Sequence, residues 1–378
     1  MLVVLVALLA IALGQVRFDR FEEALLQIAP LALFLTSAVW LATVAERAGL
    51  AARLAATLSR AARGRRISLY LVTCATCALL TSAVSLDGAV VLMVPLVLAL
   101  GRGSRDLVRP LLLGTVAVAN AFSLAVPQGN PTNILVMERL GLSPATFVAH
   151  LLGPALVATG TCVAVLALAE RRALRGAFVA DVSTAPSPTG DARLAVAALV
   201  SAAFGGAASP WLGIAPWWPL SAAAAIAFAG ELLLRRPRPS IRVPWQISFR
   251  VLALLLVVGS LTAHVHLGSR PATSLVGLVA LSLATAAVAA VANNLPASAL
   301  AAGLLGSHLL PASAALAGLT VGAVTTPHGS VATLMALDGA SRAGDDHGGA
   351  DYVRLWLPVG VVATVAAVAT AWLVAGIR

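Results

Sequence analysis

Lysine is absent from this chain of 378 residues, and side chains of either charge are scarce. Charged residues make up 11% of the sequence, hydrophobic residues make up 60%, and the mean hydropathy is +0.96. Soluble domains carry about 25% charged residues, so the composition excludes an ordinary soluble domain. It is typical of a polytopic chain that folds in a lipid bilayer.

Because lysine is absent, the formal net charge of +10 comes from arginine alone. A strongly basic chain can indicate nucleic-acid binding. Here the arginines lie in short loops between apolar stretches, which is the pattern that the positive-inside rule describes for membrane proteins. The charge therefore predicts membrane topology, and we expect no nucleic acid among the partners.

Cysteines number three, all within apolar stretches, which excludes a disulfide framework. Cys74 and Cys77 are three residues apart and therefore share a helix face, where they could hold a thiophilic metalloid or serve as small packing residues. No Walker motif, dinucleotide fingerprint or zinc spacing occurs. An intramembrane hydrolase would need a nucleophile with a base or a His/Glu metal set, so we expect neither an enzyme nor a cofactor.

Apolar stretches of roughly 17 to 25 residues recur along the whole chain, the length that a helix needs to cross the hydrocarbon core. They predict an all-α membrane protein with roughly nine or ten full spans. The first apolar stretch lacks a basic n-region and a cleavage site, so we interpret residues 1–24 as a retained helix and loop.

The arginine loops predict a re-entrant helical hairpin at residues 67–100. Arginines flank this segment on both sides, and its two short apolar arms meet at Ser85-Leu86-Asp87-Gly88. Both flanks are then cytoplasmic and the tip lies near mid-membrane. Two ordinary crossings would also return the chain to the same side, so that alternative stays open.

A second hairpin is predicted at residues 271–310, entering from the opposite face, so that the two halves are inverted repeats. The first repeat would span 25–175 and the second 244–378, with a linker and two connecting helices at 176–243. Internal similarity supports this division: Pro127-Gln128-Gly129-Asn130 resembles Pro327-His328-Gly329-Ser330, and Asp87 at the first tip would match Asn294 at the second.

Each repeat also contains a long apolar segment, 107–138 and 311–338, that proline and glycine should break. A broken helix in lipid frees backbone groups, which is tolerated chiefly where they line a cavity, and its new N-terminus favours anions and hydroxyl oxygens. The residues that should break the helices are Pro127, Gly129, Pro131, Pro327 and Gly329. Polar side chains lie beside them, and we predict that these bind substrate: Asn130, Thr132, Asn133, Ser330 and Thr333. Alternatively, these side chains form hydrogen bonds that hold neighbouring helices together.

Asp87 and His328 are the candidates for proton coupling. A carboxylate at the bilayer centre costs roughly 2.5 to 3.5 kcal/mol on insertion scales, so Asp87 should be paired, hydrated or protonated, as a proton carrier requires. It could instead cap the helix at the hairpin tip. His328 lies in the second break, where an imidazole could relay a proton or donate to substrate.

Taken together, several motifs resemble the arsenite/antimonite permease family of the ion transporter superfamily. The resemblance covers nearly the whole chain from about residue 25 and is carried by Ser85-Leu86-Asp87-Gly88-Ala89 leading to Pro95, Ala119-Asn120 through Pro127 to Pro131-Thr132-Asn133, Trp245-Gln246, Asn293-Asn294-Leu295-Pro296, and Thr326 through Leu334.

This resemblance implies a scaffold part, a transport part and proton-driven export of arsenite or antimonite across the bacterial inner membrane, with a soluble ATPase subunit assisting in some systems. By position it implies substrate-binding roles for Asn293 and Asn294 at the second tip. Leu86, Gln128 and His328 depart from the family's pattern. The alternative is a sodium-coupled carboxylate transporter or a sodium/proton antiporter of the same superfamily.

Overall fold

The computed structural model describes residues 50–101, 104–178, 190–215, 217–234, 272–304, 308–342 and 349–377, together with scattered positions between 33 and 49. The predicted N-terminal helix, most of the linker and the motif Trp245-Gln246 lie outside the described residues.

The described chain forms thirteen α-helices. They are α1 Leu50–Ala61, α2 Arg66–Val84, α3 Leu86–Leu100, α4 Val108–Ser123, α5 Pro131–Arg139, α6 Pro144–Ala169, α7 Ala192–Leu212, α8 Trp217–Leu233, α9 Leu275–Ala292, α10 Asn294–Leu304, α11 Leu309–Thr320, α12 Val331–Arg342 and α13 Gly349–Ile377. Short 3₁₀ turns occupy Arg105–Leu107, Pro127–Gly129 and Gly322–Thr325. In these ranges the only β pairing is an isolated bridge between Arg65 and Ala177.

Five described segments are long and apolar enough to cross a membrane: Arg66–Val84, Pro144–Ala169, Ala192–Ser209, Leu275–Ala292 and Val353–Gly376. Four shorter apolar helical segments are Leu86–Leu100, Trp217–Leu233, Leu309–Thr325 and Val331–Ser341. The described part of the protein is therefore all-helical, as expected of a multi-pass membrane protein. Residues 1–32 and 235–271, where the sequence also has apolar stretches, lie outside the described part, so the predicted nine or ten spans stay a prediction.

Local capping explains where several helices begin. Ser143 accepts a hydrogen bond from the amide of Thr146 at the start of α6, and Asp191 accepts from the amides of Arg193 and Leu194 at the start of α7. The hydroxyl of Ser274 accepts from the amide of Gly277 at the start of α9. Such caps pair amides that have no partner within the helix.

Arginine loops from three parts of the chain meet at one end of the molecule. The amide of Arg66 donates to the carbonyl of Gly176 at 3.2 Å, and its guanidinium pairs with Asp106. Arg109 pairs with Glu170 at 3.4 Å. The starts of α2 and α4 and the end of α6 therefore lie at the same end of the molecule.

The same order of elements occurs twice along the described chain. A pair of consecutive helices is followed by an interrupted helix and then by a long helix: α2 and α3, α4 and α5, α6; then α9 and α10, α11 and α12, α13. The long helices α6 and α13 pack together, α3 packs against α12, and α10 packs against α5. The first half thus contacts the second through equivalent elements.

Candidate functional site

The first helix pair turns at a single residue with an unusual backbone conformation. Ser85 links α2 to α3 with φ 87° and ψ 169°, a region that is nearly restricted to glycine. Its hydroxyl accepts a hydrogen bond from the amide of Gly88 at 3.5 Å. Ser85 and Asp87 are both buried, so this turn lies inside the protein and places Asp87 in the first turn of α3.

The second helix pair turns in the same way at Asn293, with φ 73° and ψ 151°. The Asn293 side chain donates from Nδ2 to the carbonyl of His328 at 3.0 Å, and its Oδ1 accepts from the amide of Leu295 at 3.3 Å. The amide of Asn294 donates to the carbonyl of Gly329 at 2.9 Å. The second turn is therefore bonded directly to the second helix break.

These two linking residues align the two helix pairs by their backbone conformation. Because Ser85 and Asn293 share the same backbone conformation, Leu86 corresponds to Asn294 and Asp87 corresponds to Leu295. The sequence comparison of the two halves matched Asp87 with Asn294, one position away. That match aligned polar side chains, whereas the backbone aligns the residues that link the helices, and it stays a prediction.

The helix that begins with α4 is interrupted after Ser123, and α5 resumes at Pro131. A methyl group on Gly129 would overlap the carbonyl oxygen of Ser123, so only glycine fits there. The Asn133 side chain donates from Nδ2 to the carbonyls of Ser123, at 2.6 Å, and Val126, at 2.9 Å. It thus satisfies carbonyls that the break would leave unpaired.

The second break repeats this geometry 200 positions later in the chain. A methyl group on Gly329 would overlap the carbonyl oxygen of Ala323. Ser330 caps α12 by accepting from the amide of Thr333 at 3.2 Å, as Asn130 caps α5 by accepting from the amide of Thr132 at 3.1 Å. Both breaks predicted from proline and glycine are present.

Both turns and both breaks converge. Gln128 in the first break donates from Nε2 to the carbonyl of Ser82, beside the first turn, at 2.9 Å. The carboxylate of Asp87 faces the backbone amide of Ala332 in the first turn of α12. Because the second turn is bonded to the second break, the N-termini of α3, α10 and α12 lie near one another. Helix α5 packs on α10 and therefore lies beside them.

Four buried polar atoms at this convergence have no hydrogen-bond partner among the described residues: Asp87 Oδ1, Asn130 Nδ2, Thr132 Oγ1 and Asn133 Oδ1. A buried polar atom without a partner costs roughly 1 to 3 kcal/mol, so such groups normally bind something. All four lie at or beside helix N-termini, where the free amides carry partial positive charge. The arrangement can hold a small solute rich in oxygen.

The predicted site residues are not equivalent in their surroundings. Asn294, Ser330 and Thr333 are buried, as are the four residues above, and the hydroxyls of Ser330 and Thr333 are 3.0 Å apart. His328 lies in the second break but is exposed. The structure therefore buries the amide and hydroxyl side chains and places the imidazole at the surface of the break.

Comparison with known proteins shows the family of this chain. The family model described as CitMHS, citrate transporter, matches residues 1–322 and therefore includes both helix pairs and the first break. The chain belongs to the CitMHS family. This is a family of the ion transporter superfamily, so the superfamily inferred from the sequence motifs is supported, whereas the arsenite permease family is not shown.

A curated relative of this CitMHS member is the inner membrane protein YbiR of Escherichia coli strain K12. The two sequences are 39% identical over 92 residues, which is 24% of each chain. The similarity therefore spans about a quarter of the relative. It supports a membrane setting.

Sequence reasoning missed a second buried acid in this CitMHS member. Glu231, near the end of α8, is 3% exposed. Its Oε2 accepts from Arg47 at 2.8 Å, while Oε1 has no partner among the described residues. The ion pair joins α8 to the segment before α1, outside the convergence of turns and breaks.

The helical period of α8 is the signal that could have found Glu231. The buried face of this helix includes Leu220, Ala223, Ala224 and Ala227, and Glu231 continues the same face one turn later.

The paired cysteines occupy one helix face of the CitMHS member, as their spacing predicts, and both are buried. Cys77 Sγ lies 3.3 Å from the carbonyl oxygen of Thr115, and a methyl group on Gly114 would lie 3.0 Å from Cys74 Sγ. Both thiols therefore pack tightly against α4. Among the described residues, no group of three or more His, Cys, Asp or Glu side chains could hold a metal ion.

Proposed function

We propose that this CitMHS member is a secondary active transporter that works by alternating access and binds its substrate where the two turns and the two breaks converge. The observation that carries the proposal is the set of four unpartnered buried polar atoms, counted among the described residues, at helix N-termini. A static membrane scaffold would gain nothing from two interrupted helices and unsatisfied polar groups in its core.

The proposal includes two re-entrant hairpins, α2 with α3 and α9 with α10, arranged as inverted repeats. The first arms, α2 and α9, are long enough to cross a membrane, so the support comes from the second arms. The 15 residues of α3 extend about 22 Å, whereas the 26 residues of α6 extend about 39 Å. An arm of that length beside a full crossing would end inside the membrane. The shared backbone conformation of Ser85 and Asn293 supports a common origin of the two pairs.

We propose a small carboxylate as the substrate class. The family description is citrate transporter, and helix N-termini with amide and hydroxyl side chains suit carboxylate oxygens. No arginine lies among the described residues of the convergence, so backbone amides and a coupled cation would supply the positive charge.

Arsenite or antimonite is the second candidate. Arsenous acid is neutral and carries three hydroxyl groups, which the same side chains could bind without a cationic partner. The buried Asp87 carboxylate favours a neutral solute over an anion, because like charges repel in a medium of low dielectric constant. Efflux coupled to proton uptake through Asp87, with His328 at the surface of the break, is the corresponding mechanism, and sodium is the alternative coupling ion.

Reconstituted proteoliposomes test the proposal. Flux of labelled citrate and of arsenite is measured under a pH gradient, a sodium gradient or no gradient. Thr132→Val removes the unpartnered buried hydroxyl, and we expect at least about tenfold slower flux of the true substrate. Thr161→Val is the matched control, because that hydroxyl is bonded to the carbonyl of Val157 within α6.

Gradient-driven flux of citrate that Thr132→Val slows and Thr161→Val leaves unchanged would support the carboxylate proposal. Flux of arsenite alone would replace it with the second candidate. Equal flux in both variants for every substrate would place the binding site elsewhere.

A further inference from the structure

A cavity of about 860 Å³ lies at the arginine-rich end of the molecule, away from the convergence of turns and breaks. Two short segments form most of it, residues 63–67 before and within α2 and residues 171–178 after α6. The proposed transport function does not use it.

Hydrogen bonds hold these two segments together. The amide of Phe178 donates to the carbonyl of Gly64 at 3.0 Å, and the Arg66 side chain donates from Nε to the carbonyl of Ala177 at 3.0 Å. Arg63 adopts φ 52°, a conformation that is uncommon for a residue other than glycine. These bonds therefore join the two segments that form the walls of the cavity.

Four arginine side chains line the cavity: Arg63, Arg65, Arg171 and Arg175. The nearby acids in the described part of the chain are bonded to other arginines, Asp106 to Arg66 and Glu170 to Arg109. The positive charge of the four lining residues is therefore not neutralised by these acids, which makes the cavity a site for an anion.

The apolar side of the cavity continues into exposed surface along two helices. Ile67 lines the cavity, and Leu71, one turn further along α2, is 47% exposed. On α6, Ala167 lines the cavity, and Leu168 beside it is 69% exposed. In a membrane protein such side chains face acyl chains, so a ligand here would meet charge at one end and hydrocarbon at the other.

We propose that this cavity binds the phosphate headgroup of an anionic phospholipid, with the acyl chains lying along α2 and α6. Arginine pairs with phosphate through two parallel N–H donors, and basic pockets between membrane helices suit anionic headgroups. A soluble phosphate compound shares the headgroup chemistry but would leave the apolar flank without a partner.

Titration of delipidated full-length protein in neutral detergent tests this proposal, with bound lipid counted by native mass spectrometry. The ligands are phosphatidylglycerol, phosphatidylcholine and inorganic phosphate. Arg171→Gln with Arg175→Gln removes two lining charges, and we expect about 30-fold weaker phosphatidylglycerol binding. Arg53→Gln with Arg60→Gln removes two charges from α1 and is the matched control.

Saturable binding of phosphatidylglycerol but not of phosphatidylcholine, weakened only by the cavity variant, would support the proposal. Equal weakening by both double variants would overturn it, because net charge alone would then explain binding. Displacement of phosphatidylglycerol by inorganic phosphate would overturn it in favour of a soluble anion. Arg171→Lys with Arg175→Lys should retain most binding and shows whether loss reflects charge or misfolding.

Discussion

At the scale of single residues, Asp87 combines burial with an incomplete set of partners. Its carboxylate faces the amide of Ala332, and Oδ1 has no partner among the described residues. A carboxylate that only capped a helix would be expected to satisfy its oxygens locally. The contact instead joins the first turn to the second break, so a change of protonation at Asp87 would alter a contact between the two halves.

Asp87→Asn should separate binding from proton coupling. The amide has the shape of the carboxylic acid but cannot exchange a proton, so we expect pH-gradient-driven flux to fall at least about tenfold, while exchange of labelled for unlabelled substrate persists. Both are measured in proteoliposomes. Asp106→Asn, at an exposed ion pair, is the control. Unchanged pH-gradient-driven flux in Asp87→Asn would exclude it as the proton carrier.

At this scale residue types predicted the helix breaks and the candidate site residues. Proline and glycine beside short polar side chains predicted the breaks and identified Asn130, Thr132 and Asn133. The sequence could not show that Ser85 and Asn293 adopt positive φ, because neither is glycine. The difference of one residue between the two alignments arises from this, because one follows side-chain polarity and the other follows backbone conformation.

At the scale of elements, each break is held by close backbone contact. The carbonyl oxygen of Ser123 lies where a side chain on Gly129 would begin, and the side-chain amide of Asn133 donates to that same carbonyl. The interruption is thus a compact structure with its own hydrogen bonds. Hydropathy alone predicted one long apolar segment here, and the break could be predicted only because proline and glycine occur inside it.

Gly129→Ala should destabilise the first break. Its methyl group would overlap the Ser123 carbonyl oxygen, and overpacking of this kind costs about 1 to 3 kcal/mol. We expect a lower thermal midpoint of the purified protein and slower transport. Gly160→Ala, within α6 and with open space around it, should instead be neutral or stabilising by up to about 1 kcal/mol. Equal midpoints for the two variants would contradict the steric overlap at Gly129.

At the scale of the whole molecule, each half packs one helix of its pair against the broken helix of the other half. The second arm of the first pair, α3, packs on α12, and the second arm of the second pair, α10, packs on α5. Composition and arginine distribution predicted a membrane protein, but long-range pairings of this kind leave no local pattern in one sequence. These contacts between the halves favour a motion in which both helix pairs and both broken helices move as one body. The helices outside that body, such as α7, would stay in place.

An engineered cross-link within the proposed moving body should leave transport intact. A methyl group on Gly339 of α12 would lie 3.7 Å from Cβ of Val94 in α3, within the range for a disulfide. In a background without the native cysteines, Val94→Cys with Gly339→Cys should form a disulfide and keep most transport, because both residues belong to the same body. Flux in proteoliposomes before and after reduction is the measurement.

A cross-link from this body to α7 should have the opposite effect. A methyl group on Gly206 of α7 would lie 3.1 Å from the carbonyl oxygen of Ala83 in α2, so thiols placed at these two positions are close in space. A short bifunctional thiol reagent on Ala83→Cys with Gly206→Cys should block transport, because it fixes α2 to a helix outside the moving body, and cleavage of the reagent should restore it. Block by the link between α3 and α12 but not by this one would show instead that the two halves rock against each other.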